Sequence, residues 1–410
     1  MSELSTLVAL RAPRRARRRA FLPARAAIEG VRIALFSGNY NMTVDGANKA
    51  LNRLVEYLLR QGAEVRVYSP TVPHPAFAPQ GTLVSLPSIA IPGRDEYHAP
   101  LGLSRRVRRD LEAFAPDLLH ISSPDFAARG AVRWAHPRGI PVLASVHTRF
   151  ETYPRYYGVA FLERPLEAFI RNLYRRCDAL VTPSAGMVDV LRAQHMNDDI
   201  SLWERGVDRE LFNSGRRDLG WRRANGLADF DVVIGFLGRL VMEKGLGAFA
   251  ETIAELRRRG VAHKVLVVGE GPAHGWFEER LPDAVFAGFQ QGADLGRSIA
   301  AMDVLFNPSD TETFGNVTLE AMACGVPVVA ARATGSTSLI VDGKNGTLVP
   351  PGAIGGFADA LSRYIADPSL RTAHGHAGEE RSRAYAWDAI NQAVADTYLR
   401  LIAARRREPA

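Results

Sequence analysis

The chain has 410 residues, 47% of them apolar and 23% charged, the composition of a globular protein with ample core and more than one domain. No run approaches the roughly 20 apolar residues of a membrane-spanning helix, and two cysteines, Cys177 and Cys324, exclude a disulfide framework and point to a reducing compartment. The net charge of +7 is concentrated: residues 1–25 carry seven arginines against Glu3 and hold +6 of it, which leaves the body near neutral.

In chain order, residues 1–29 form a basic tail predicted to be disordered on its own. Its arginines suit an anionic membrane surface, worth about 1 kcal/mol for each basic residue held near it. They equally suit a sequence-independent contact with nucleic acid, and a solvated extension is the plainer reading. Leu7-Val8-Ala9-Leu10 is too short for the apolar stretch of a secretory signal and precedes the arginines. Val31 to Phe36 reads as a buried strand, ended by Ser37-Gly38-Asn39. A loop with Asp45-Gly46 leads into an amphipathic helix over 47–61, with Leu51, Leu54, Val55, Leu58 and Leu59 on one face and Gly62 as its stop. Glu64 to Tyr68 is the next strand, and this βαβ order predicts a parallel sheet. Residues 70–100 are proline-rich and short on periodicity. Residues 103–114 form a helix that groups Arg105, Arg106, Arg108 and Arg109 on one broad face. Further strands fall at 117–121, 141–146 and 179–182. Residues 150–176 are rich in aromatic and basic side chains. The pattern pauses near Glu204-Arg205-Gly206-Val207-Asp208, and the polar, Arg- and Gly-rich stretch 213–228 reads as a linker.

A second α/β series follows. Its strands are read at 232–237, 265–268, 284–286, 304–306, 327–331 and 347–349, with helices near 245–258, 294–301, 316–324 and 355–366. The fold class is therefore α/β: two doubly wound, Rossmann-like domains with a cleft between them, divided as 30–205 and 206–386. Residues 387–410 supply a last helix outside the alternation, expected to pack across both domains. Ligands of such sheets bind beyond the carboxyl ends of the strands.

The polar residues gather at those strand ends. His147 directly follows one buried strand, Gly238-Arg239 another, with Lys244-Gly245 five residues on, and Gly269-Glu270-Gly271-Pro272 a third. Each alone reads equally as a structural turn. Arg239 with Lys244 makes two cations at one strand-end loop, which suits a diphosphate. The stretch 307–327 carries most. Its polar loop breaks at Gly315, a helix starts at Asn316, and Glu312 and Glu320 stand with seven residues between them. Free N–H groups at that helix start suit a phosphate, and a carboxylate further in suits sugar or ribose hydroxyls.

At these residues the sequence resembles the retaining glycosyltransferases of family four, which have the GT-B fold of two facing Rossmann-like domains. The resemblance runs from about Val31 to Leu401. Its strongest marker is the Glu312-to-Glu320 element inside DTETFGNVTLEAMACGVPVVA, supported by FLGRLVMEKG, VVGEGP, WERGVDRELF and VHT. The wording is closest to a branch of sulfoquinovosyl-diacylglycerol synthases and GDP-mannose-dependent lipid mannosyltransferases. The resemblance implies that Arg239 and Lys244 hold the donor diphosphate, helped by Gly238, Phe314, Gly315 and the N–H groups of Asn316, Val317 and Thr318. It also implies that Glu320 binds the ribose, Glu312 faces the transferred sugar, and Gly269, Glu270 and Gly271 border the base. Gly46 would let the first domain approach the diphosphate, and His147 would hydrogen-bond a sugar hydroxyl or steer the acceptor. In this family the diphosphate itself is thought to take the acceptor proton on the face it leaves. No protein nucleophile is then needed, and no metal or other cofactor is expected beyond the nucleotide-sugar substrate. One departure stands out. Where many relatives have Gly-Gly followed by an acid, this chain reads Ala333-Thr334-Gly335-Ser336-Thr337-Ser338, which leaves the sugar and base open.

The first domain is expected to bind the acceptor. The arginine helix and the segment with Tyr153, Tyr156, Tyr157 and Phe161 among Arg149, Arg155 and Arg164 suit an anionic, partly apolar surface. With the tail they point to a cytoplasmic enzyme, peripheral on the inner face of the membrane, acting on a lipid acceptor and on no specific nucleic acid. Capping helices with solvated arginines are the bland reading. The alternatives keep the fold but transfer to a soluble or polysaccharide-precursor sugar, or bind a nucleotide without transfer. An epimerase would need further acid and base groups that the sequence does not offer.

Overall fold

A computed structural model of the protein describes residues 28–43, 46–91, 94–152 and 160–407. The strands in chain order are β1 (Arg32–Phe36), β2 (Glu64–Ser69), β3 (Thr82–Ser85), β4 (Ser88–Ile91), β5 (Arg94–Pro100), β6 (Leu118–Ile121), β7 (Val142–Ser145), β8 (Ala179–Thr182) and β9 (Ile200–Leu202). They continue with β10 (Val233–Leu237), β11 (Lys264–Val268), β12 (Val285–Phe286), β13 (Val304–Asn307), β14 (Val328–Ala331) and β15 (Gly346–Val349). The first sheet runs β3-β2-β1-β6-β7-β8-β9 and the second β12-β11-β10-β13-β14-β15, every pairing parallel. Helices cover both faces, so β6, β7, β8, β13 and β14 bury every residue. That is why their sequences read as unbroken apolar runs instead of alternating.

Each sheet reverses its strand order once, between β1 and β6 in the first and between β10 and β13 in the second. Chains leave such a switch point in opposite directions and open a crevice at the carboxyl ends. Ser37-Gly38 and Ser122-Ser123 emerge at the first crevice, Gly238-Arg239 and the loop from Pro308 at the second. Close packing fixes this frame. A methyl on Gly235, in the middle of β10, would collide with the Met302 side chain.

The structure departs from the sequence reading in three places. Residues 213–228 are not a flexible linker: they hold the helix Leu219–Ala224, N-capped by Asp218. Its Arg222 is fully buried, donating to the carbonyls of Ala301 (2.6 Å), Ala228 (3.0 Å) and Asp231 (2.7 Å) and to Asp303 Oδ2 (3.2 Å). An arginine used this way looks solvated in sequence because most of its partners are backbone carbonyls, which no residue pattern marks. The proline-rich stretch 70–100 supplies β3 and the antiparallel hairpin β4–β5, whose Ile89 and Ile91 are exposed. In the helix Gly46–Arg60, Leu59 lies off the buried face set by Leu51, Leu54, Val55 and Leu58.

The helix Trp387–Arg407 crosses back onto the first domain. Gln392 bonds the Tyr57 hydroxyl, Asn391 Nδ2 donates to the Arg53 carbonyl at 3.2 Å, and Tyr398 meets His120 Nδ1 at 2.6 Å. Arg400 and Arg405 pair with Asp199 and Asp178 at its far end. Ile390, Val394, Leu401 and Ile402 join one apolar cluster with residues of both domains.

Candidate functional site

Gly315 sits at φ +100, a left-handed backbone that glycine adopts without a side-chain clash, and begins the helix Asn316–Ala323 with no side-chain cap. The N–H groups of Asn316, Val317 and Thr318 therefore have no partner within the helix and lie at its positive end. Facing them is the start of the helix Gly46–Arg60, since a methyl on Gly46 would run into the Asn316 side-chain amide. Two helix N-termini, one from each domain, converge across the cleft. Such a junction favours an anion held between them. Glu320, in the second turn of the Asn316 helix, is half-buried. Burial pushes its carboxyl up to about 7, against the pull of Lys49 on the facing helix.

The loop between β13 and this helix is tied to the turn after β10. Ser309 and Thr311 donate their hydroxyls to the Glu243 carbonyl at 3.3 and 3.1 Å. That staple brings Lys244 Nζ to 2.6 Å from Glu312 Oε1. The carboxylate holds the ammonium above its usual range, and desolvation opposes it less strongly. Of the two cations expected to clamp a diphosphate, Lys244 is thus paired with Glu312, and Arg239 is on the surface beside Gly238. On the other side, Gly335 N–H and Thr334 Oγ1 donate to the Glu312 carbonyl at 2.9 and 2.8 Å. The loop that starts at Ala333 thus ties down the backbone of Glu312, while Lys244 holds its side chain. The Gly269-Glu270-Gly271 turn packs on the Gly238 loop, with the Leu240 N–H donating to the Glu270 carbonyl at 2.9 Å. Methyl groups on Gly269 or Gly271 would overlap the backbone of Gly238 or Leu240.

His147 follows β7 and is 9% exposed. Thr313 Oγ1 donates to its carbonyl at 3.0 Å, and Ser184 Oγ donates to the Thr313 carbonyl at 2.6 Å, so both bonds cross between domains. Its ring meets Trp203 edge-on at 4.9 Å, and Arg205 Nη2 lies 2.6 Å from its Nδ1. Nε2 is buried without a hydrogen-bond partner among the described residues. Burial first, then the Arg205 charge and His120, hold the imidazole well below its ordinary pKa.

The structure thus brings Gly46, His147, Lys244, Glu312 and the Asn316 helix start to one cleft, with Arg239 and the Gly269 turn at its rim. Sequence reasoning misses Ser184, Arg205, Thr313 and Thr334 as site residues. Arg205 lies in the WERGVDRELF marker, but nothing in one sequence says that it touches His147. Arg105, Arg106, Arg108 and Arg109 are exposed on the helix Arg105–Phe114, whose Val107, Leu111 and Phe114 are buried. Leu103, just before this helix, packs on Gly130 of the helix Phe126–Ala135, and Leu101 and Phe126 are exposed. Phe126 in turn meets Phe169, from the helix Glu163–Tyr174 that follows exposed Phe161 and Leu162. Tyr153, Tyr156 and Tyr157 lie outside the described residues, as do residues 1–27.

The family described as Glycosyl transferases group 1 matches residues 231–367, and Glycosyltransferase Family 4 matches residues 44–211. A GDP-mannose-dependent alpha-mannosyltransferase of Mycolicibacterium smegmatis is 33% identical over 341 residues, 82% of this chain and 88% of that protein. A sulfoquinovosyl transferase of Arabidopsis thaliana is 32% identical over 86% of this chain and 70% of that protein. The chain belongs to glycosyltransferase family 4. Its fold agrees: the solved sucrose-phosphate synthase of Thermosynechococcus elongatus superposes with a TM-score of 0.75 at 21% identity, covering 91% of this chain and all of that one. The protein is thus a family 4 glycosyltransferase of GT-B fold, with the Glu312-to-Glu320 element in its second domain.

Proposed function

We propose that this glycosyltransferase moves a sugar, with retention, from a nucleoside-diphosphate sugar to a membrane lipid, and does so without a divalent metal. The observation that carries the donor half is the junction of two helix N-termini at Gly46 and Asn316, flanked by Arg239 and Lys244. The diphosphate occupies that junction, where N–H groups and the two cations offset the charge of the departing nucleotide. Glu320 accepts from the ribose hydroxyls. Glu312 faces the sugar and passes Lys244 to the phosphate when the donor enters. The bond from the anomeric carbon to the phosphate oxygen breaks, the acceptor oxygen bonds the same face, and the acceptor proton goes to the diphosphate. His147 donates to a sugar oxygen. The relatives named for GDP-mannose and for sulfoquinovosyl transfer make GDP- and UDP-sugars the donors to screen. Thermal shift is the direct test, because a ligand bound only by the folded state raises its midpoint.

The lipid half rests on the apolar and basic rim. The helix Arg105–Phe114 leads into the start of β6 and the helix Phe126–Ala135 follows the end of β6, so both begin toward the carboxyl end of the parallel sheet, which puts Arg105 to Arg109 and Phe126 toward the edge that opens into the cleft. A surface there delivers a lipid headgroup to the site. A soluble sugar acceptor is the competing reading, and an unchanged transfer rate with and without liposomes would favour it.

Slow donor hydrolysis separates an enzyme from a nucleotide-binding relative of the same fold. The protein is expected to release nucleotide from its own donor at a rate unaffected by EDTA, and Lys244→Ala to lower that rate by about 10²–10³. No release from any GDP- or UDP-sugar would sink the catalytic reading, and loss of release in EDTA the metal-free one.

A further inference from the structure

We propose that Arg205 is a positioning residue that fixes His147 as the Nε2–H tautomer, so that His147 serves the reaction as a hydrogen-bond donor and never takes the acceptor's proton. The inference deepens the reading of the cleft as a glycosyl-transfer site and rests on it. Arg205 is 4% exposed, and its Nη1 is spent on the carbonyls of Trp203 and Glu204 at 2.8 and 3.1 Å. Its guanidinium lies over the Trp203 ring, 5.0 Å from the centroid. Burying a guanidinium is costly, and here it is held so that Nη2 points at His147 Nδ1, 2.6 Å away.

A guanidinium nitrogen only donates. Nδ1 of His147 is therefore the acceptor, and in a neutral ring the proton sits on Nε2. Nε2 is a buried ring atom without a hydrogen-bond partner among the described residues, as is Nε2 of His120, and of the two rings only His147 lies at the cleft, so its Nε2 is the donor open to a ligand oxygen. Among the described residues, the charged and titratable groups that act on the ring are Arg205, from the segment after β9, and His120 of β6, and both disfavour a second proton. With Nδ1 occupied and Nε2 protonated, neither nitrogen has a lone pair for the acceptor hydroxyl. The ring carries no charge toward the developing positive sugar centre, where an imidazolium would oppose the reaction.

Nitrogen-15 histidine NMR on the full chain, with the His147 signal assigned by its loss in His147→Gln, reads the tautomer directly and needs no turnover. The expected spectrum shows protonated Nε2 and bare Nδ1 without titration across about pH 5–8. In Arg205→Gln the ring should begin to titrate in that window and kcat/KM should acquire an acid limb, while Arg205→Lys restores a flat profile. A donor role also predicts that His147→Gln, whose amide N–H stands near the Nε2 position, keeps activity within about tenfold, whereas His147→Ala loses about 10²–10³. A wild-type ring protonated on Nδ1, or one that titrates normally, overturns the proposal even if Arg205→Gln does not fold. So does a His147→Gln variant as inactive as His147→Ala. Absence of any glycosyl transfer with the expected tautomer present would instead remove the functional reading and leave the positioning intact.

Discussion

Single residues set the chemistry of this cleft through what they are buried against. Glu320 holds its proton more tightly in the folded protein than in the unfolded chain, since burial raises it from 4.5 to about 7. Its contribution to stability is therefore most favourable below about pH 4.5 and is lost as pH rises through 7. On the proposal that ribose hydroxyls donate to its ionised form, donor binding should release a proton below pH 7. Donor affinity is expected to climb with pH and level off above about 7, read by calorimetry in buffers of different ionisation enthalpy. Glu320→Gln should flatten that curve and weaken binding about tenfold, the scale of one hydrogen bond to a charged group. A wild-type affinity independent of pH would contradict the assignment. Glu312 and Lys244 act differently. They form an ion pair that keeps a half-buried lysine charged without a ligand.

At the scale of elements, the helix Arg105–Phe114 is built against its own dipole. Four arginines fall in its first five residues, where cations are unfavourable by about 0.3–1 kcal/mol each. Ser104 caps it through the Val107 N–H, and Asp110 ties its underside to Arg66 and Tyr68 of β2. On the lipid reading proposed above, an anionic surface would be the partner for that charge. Replacing Arg105, Arg106, Arg108 and Arg109 by Gln should hold or raise the unfolding midpoint while cutting binding to anionic liposomes by about 1 kcal/mol per residue at low salt. A variant that still pelleted with those liposomes would remove the helix from the membrane account. The periodicity of Val107, Leu111 and Phe114 makes this element legible in sequence. The helix Leu219–Ala224 is not legible, because it is short and its main anchor is a buried arginine.

For the whole molecule, the helix Trp387–Arg407 joins domain position to the site. Tyr398 bonds His120, whose ring lies 5.9 Å from Trp203, and Trp203 carries both His147 and Arg205 on its faces and edge. Burial drives the His120 imidazole down to about 3, so it stays neutral and the Tyr398 hydroxyl is its natural partner. Tyr398→Phe leaves Nδ1 of a fully buried histidine unpaired and should cost about 1–3 kcal/mol by chemical denaturation. A loss under about 0.5 kcal/mol would show that this contact carries little.

The sequence by itself determined the two α/β series, most of the strand positions and the cluster of strand-end residues, because buried parallel strands and βα turns have strong local signatures. Glu312 and Glu320 were visible for the same reason: they flank one strand–loop–helix unit. Only the tertiary structure decided which strand ends face each other. Gly46 against Asn316, Ser184 on Thr313, Thr334 on Glu312 and Arg205 on His147 join residues far apart in the chain. Their spacing follows from how two sheets pack and where a returning helix locks them, and no local pattern of residues encodes that distance.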